Sequence, residues 1–68
     1  MNVEDVKKRV AEIRKLAETD FETAHFKEDA LFFELLVAIR DRQYEGRTAD
    51  LANEALKSSE IRFTRACA

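Results

Sequence analysis

The chain has 68 residues with no proline, one glycine and one cysteine, so it lies near the lower size limit for burying a core and is expected to be all helix. A lone cysteine excludes an internal disulfide and a multi-cysteine zinc site, and suits a reducing cytoplasm. Twelve basic and fourteen acidic residues leave a net charge of −2, which provides no general attraction for nucleic acid or anionic lipid.

The first helix is predicted over residues 3–17. Asn2 is a good N-cap, Glu4 and Asp5 favour the positive end of the helix dipole, and Val3, Val6, Val10, Ile13 and Ala17 recur at spacings of three and four. Lys7, Lys8, Glu12 and Lys15 form its solvated face, and Asp5 with Arg9 has the spacing of an i,i+4 pair. Met1 to Val10 is too polar for a signal peptide, and no apolar run approaches the ~20 residues of a membrane span. The expected location is the cytoplasm.

Thr19 and Asp20 read as a short turn with a cap, which folds a second helix, predicted over residues 21–44, back against the first. Residues 1–18 sum to +1 and residues 19–34 to −4, a mismatch that favours antiparallel docking. The second helix carries two apolar stripes. Phe21, Ala24, Leu31, Phe32, Leu35, Ala38 and Ile39 share one face, while Phe26, Ala30, Phe33, Val37 and Tyr44 lie nearly opposite. At about 1.5 Å per residue the second helix outruns the first, so its last turns must be covered by residues C-terminal to Gly46, the expected αL residue at its end.

Thr48 is the expected cap of a short third helix over residues 48–58, with Leu51, Ala52, Ala55 and Leu56 as its apolar face and Ser58 and Ser59 fraying its end. In the tail, residues 60–68, the alternation around Ile61 and Phe63 predicts an extended segment laid on the bundle. The expected architecture is therefore a single all-α domain, three-helix bundle-like, with an antiparallel helical hairpin, a short third helix and an extended C-terminal tail. The second helix is expected at its centre.

His25, Glu28 and Asp29 are the one polar cluster of catalytic type, close together on one helix. A metal site draws three or four ligands from more than one element, and the first helix offers only Glu12 and Glu18 nearby. The favoured reading is a capping and salt-bridge cluster, with a metal-dependent enzyme as the least favoured alternative. Glu28 falls inside the first apolar stripe, which requires a partner or the open end of the hairpin. Cys67 has no supporting groups for nucleophilic chemistry, and no metalloprotease, phosphate-loop or nucleophile-elbow motif is present. No enzyme activity, metal or cofactor is expected.

A nucleic-acid-binding helical module is a further alternative. The second and third helices with their turn superficially resemble a helix-turn-helix, and Arg40, Arg42 and Arg47 cluster there. The third helix, however, begins with Asp50, Asn53 and Glu54 where a DNA reader needs cations and amides. Neither nucleic acid nor membrane is the expected partner.

Four segments together carry a resemblance. They are V-x-x-R-V-A-E-I-R (Val6 to Arg14), A-H-x-x-E-D-A-L (Ala24 to Leu31), L-x-x-A-I (Leu35 to Ile39) and E-A-L-K-x-x-E-I-x-F (Glu54 to Phe63), followed by a terminal Cys67 and Ala68. With them the chain resembles small helical hypothetical proteins of actinobacteria and their bacteriophages, a set without an assigned activity. Their tails read I-D-F-x-R-W-C-A, where this chain has Arg62 and Ala66 in place of the acid and the tryptophan. The resemblance implies a phage-type accessory protein that binds a host protein. On the residues, the expected function is a protein–protein interaction module in which Phe26, Phe33, Val37 and Tyr44 contact a partner protein, a host protein on the resemblance, or a second copy of the chain; the alternative is that the third helix and the Ile61 and Phe63 tail cover this stripe within a monomer.

Overall fold

The computed structural model describes residues 1–65 and contains α1 (Val3–Ala17), α2 (Phe21–Arg40), α3 (Thr48–Leu56) and a 3-10 turn, Lys57–Glu60, that continues α3. It is the all-α, three-helix bundle expected, an antiparallel hairpin followed by a short third helix and a non-helical tail. Cys67 and the last part of the predicted tail lie outside the described residues. No helix among the described residues is long and apolar enough to cross a membrane.

Local chemistry accounts for where the helices start. Asn2 Oδ1 accepts from the Asp5 amide at 2.9 Å, and the Asp5 carboxylate accepts from the Asn2 amide at 3.0 Å, a reciprocal capping box. Asp5 is thereby taken up by the cap, and the expected pairing with Arg9 does not form. Arg9 instead reaches Glu34 of α2 at 2.8 Å, and Lys27 approaches Glu12 at 3.7 Å, so the charge mismatch between the first two segments is realised across the hairpin. Asp20 caps α2 by accepting from the Thr23 amide at 3.1 Å and the Thr23 hydroxyl at 2.6 Å. The hydroxyl first, and then the amide, hold the Asp20 carboxyl below its ordinary 3.8.

The second helix stops at Arg40, four residues short of expectation, because Arg42 rather than Gly46 supplies the αL residue. With φ of 57° at Arg42, the Gln43 amide donates to the Ala38 carbonyl at 2.8 Å and the Arg42 amide to the Ile39 carbonyl at 3.2 Å. This is a Schellman ending. Gly46, at φ 93°, bends the following loop instead. The first residue holds that loop in place: the Met1 ammonium donates to the Gln43 carbonyl at 3.0 Å, and the Glu45 amide donates to the Met1 carbonyl at 2.8 Å. Tyr44 is consequently a loop residue, half-buried against the core.

The middle helix is α1, not α2. It packs closely on α2 along one side and on α3 along the other, while α2 and α3 barely meet. Val6, Val10 and Ile13 of α1 are buried with Ala24, Leu31 and Leu35 of α2, Leu51 and Ala55 of α3, and Ile61 of the tail. Ala38 is also buried. Three expectations for α3 are corrected. Its N-cap is Arg47, in extended backbone without a side-chain cap, so Thr48 is already inside the helix. Leu56 is 58% exposed, because α3 turns Leu51 and Ala55 toward α1 and Leu56 lies about 100° further round. Ser58 does not fray either; it sits fully buried in the 3-10 turn.

Candidate functional site

Helical spacing keeps His25 beside Asp29 and turns Glu28 away from Asp29, so the His25, Glu28 and Asp29 cluster is split. Glu28 and Asp29, one residue apart, point about 100° away from each other. The Glu28 side chain is 7% exposed and the Asp29 side chain 69%. His25 Nε2 lies 3.5 Å from Asp29 Oδ2. Among the described residues, no three or more His, Cys, Asp or Glu side chains gather where they could hold one metal ion.

What Glu28 has instead is a cationic partner from the tail. Arg65 Nε donates to Glu28 Oε1 at 2.8 Å and Arg65 Nη2 to Oε2 at 3.0 Å, a two-pronged pairing, and the buried Ser58 hydroxyl donates to Oε2 as well. Arg65 Nη2 also donates to the carbonyls of Ser58 and Ile61, at 3.2 and 3.1 Å, and its guanidinium lies over the Phe63 ring at 3.8 Å. Burial alone would raise the Glu28 carboxyl. The Arg65 and Ser58 hydrogen bonds, followed by the charges of Arg65 and His25, outweigh that effect and hold it below the usual 4.5. A carboxylate held in this way is a cross-link between α2 and the tail rather than an acid or base poised for proton transfer.

Arg65 is absent from the residues that sequence reasoning singles out, although a signal for it is present. Ile61 is buried, Phe63 half-buried and Arg65 half-buried, while Arg62 and Thr64 are exposed. The period-2 alternation that lays Ile61 and Phe63 on the bundle therefore carries Arg65 to the same side. A carboxylate within an apolar stripe required such a cation.

The outward face of α2 is the second candidate. Of the four residues expected there, Phe26 and Phe33 are 70% and 68% exposed, whereas Val37 and Tyr44 are half-buried. The third large apolar side chain on this face is Leu36, 68% exposed, which neither stripe included. Phe33 and Leu36 form a ridge between two shallow grooves. One, of about 340 Å³, is lined by Phe33, Val37, Met1 and Gln43; the other, of about 230 Å³, lies between Phe32 and Leu36 of α2 and Ala52 and Leu56 of α3. Among the described residues, those of the tail do not cover the ridge, since Ile61 enters the core and Phe63 packs against the core under Arg65.

The three arginines near the second turn have local duties. Arg40 donates to the Asp41 carboxylate at 2.8 and 3.1 Å, Arg42 forms the Schellman turn, and Arg47 caps α3 with its backbone. No protein-family model matches this chain, and no curated protein or solved structure matches it either.

Proposed function

We propose that this chain is a protein-interaction module whose contact surface is the outward face of α2. The observation that carries this reading is the exposure of Phe26, Phe33 and Leu36, each about two-thirds or more open to solvent on one side of one helix. Scattered exposed apolar side chains are normal. Three large ones on a single helix face, with a groove on either side, form the kind of patch that marks a binding surface. Glu28, the most deeply placed carboxylate, is committed to Arg65 and Ser58, so the chemistry available is recognition rather than catalysis.

The partner is a protein. The resemblance to phage-type accessory proteins favours a host protein, and the same face also suits a second copy of the chain. Phe33→Glu tests the surface. Because Phe33 is 68% exposed, the variant keeps its helical circular dichroism and melting temperature while losing whatever the wild type binds, in self-association or in capture from host lysate. A Phe33→Glu chain that folds and retains every wild-type contact would show that α2 does not present the binding face.

A further inference from the structure

We infer that the occupant of this face is a second copy of the chain, with two α2 helices packed antiparallel about a two-fold axis; this rests on reading the face as a contact surface. Phe26, Asp29, Phe33, Leu36 and Arg40 follow one another at spacings of three, four, three and four. That is the a/d seam of a helix pair. All five are exposed to a similar degree, the three apolar ones at 68–70% and the Asp29 and Arg40 side chains at 69% and 72%.

The two charges decide direction and register. A parallel, in-register pair sets Asp29 against Asp29 and Arg40 against Arg40, a double repulsion within the seam. In the antiparallel pair centred between Phe33 and Leu36, Phe33 of each copy meets Leu36 of the other. Asp29, four residues before Phe33, then meets Arg40, four residues after Leu36. The two-fold repeats each contact, so every charge in the seam meets its opposite. Among the described residues Arg40 pairs with the adjacent Asp41, on the surface, and is long enough to be shared.

The area suits a reversible dimer. Aromatic side chains each offer about 150–250 Å², so three large side chains at the observed exposure supply roughly 800 Å² of apolar surface in the pair. The charged rim brings the total to roughly 1,000 Å², the low end of specific interfaces. The ridges of the two copies lie beside the grooves that flank them, which is the geometry of knobs entering holes.

Sedimentation equilibrium of the full chain, from low micromolar to near-millimolar concentration, is the test. The expected mass rises from 7.9 kDa toward twice that value. Asp29→Arg and Arg40→Glu each weaken the dimer by about tenfold, because the two-fold repeats each altered pair, and the doubly reversed chain regains wild-type association. Leu36→Lys abolishes association with unchanged circular dichroism. A dimer indifferent to the charge reversals, or one that the double reversal fails to restore, overturns the antiparallel seam. A chain that stays monomeric throughout overturns the dimer. If Phe33→Glu then still abolishes capture of a different protein, the contact-surface reading survives without the dimer; if it does not, both fall together.

Discussion

Replacing Arg65 by alanine tests whether the tail is a structural part of the bundle. The substitution removes a two-pronged contact at 2.8 and 3.0 Å from a carboxylate whose side chain is 7% exposed, leaving it the Ser58 hydroxyl and the nearby charge of His25. Removing one partner of a buried ion pair costs about 3–5 kcal/mol. Arg65 is itself 32% exposed, which places this pair at the lower end, about 3 kcal/mol. A chain this small has a total stability of roughly 3–10 kcal/mol, so the loss is a large share of the whole. In a domain of this size it corresponds to a fall in melting temperature of about 12–24 °C.

The pH dependence gives the same experiment a second readout. In the wild type Glu28 titrates below its ordinary 4.5, so its contribution is fully present above that value and is lost as pH falls through the lower folded value. In Arg65→Ala the largest of the effects that lower the Glu28 carboxyl is gone, together with the Arg65 charge, so Glu28 titrates higher than in the wild type. The variant then gains stability relative to the wild type as pH falls from neutral and the carboxylate takes up its proton. Thermal melts at a series of pH values should show the gap between the two proteins closing toward pH 3, and Glu28→Gln in the Arg65→Ala background should recover part of the loss at neutral pH. A cost below about 1 kcal/mol, or a gap that stays constant with pH, would refute this account of Glu28.

Five further substitutions probe other parts of the fold. Arg42→Gly, at a φ of 57°, should stabilise by about 0.5–1 kcal/mol in urea denaturation, whereas Gly46→Ala, at φ 93° with open space where its Cβ would lie, should cost about 1 kcal/mol through backbone strain alone. Asn2→Ala breaks the capping box of α1 and should cost about 1 kcal/mol in the same assay. The adjacent leucines of α2 should part company. Leu35, 5% exposed, loses about 2–4 kcal/mol on truncation to alanine, and Leu36, 68% exposed, changes monomer stability by less than about 0.5 kcal/mol.

Elements defined by neighbouring residues are the legible ones. The Asn2 cap, the Val3 to Ala17 seam and the Asp20 turn specify α1 and the start of α2 through contacts only a few residues apart. The end of α2 is hard to place because Gly46 is the obvious αL residue, yet Arg42 takes that conformation in a loop tied to Met1. That tie joins residues 43 and 45 to residue 1, and local propensity carries no trace of it. Leu36 escapes sequence reasoning for a related cause. A helix apolar nearly all round does not disclose which side its neighbours cover, and that depends on α3 choosing α1.

The placement of α3 also explains why a chain so short of core leaves Phe26, Phe33, Leu36 and Leu56 each more than half in water. Had α3 packed into the groove beside Leu36, it would have covered Phe32, Leu36 and its own Leu56, and the outer face of α2 would have narrowed to Phe26 and Phe33. It packs on α1 instead, burying Leu51 and Ala55 there, and the tail is held at the other side by the Glu28 and Arg65 pair. The bundle is thus closed around α1 by contacts that do not use the outward face of α2. Side chains on that face can therefore be changed without unfolding the chain, which allows association and stability to be measured independently in one set of variants.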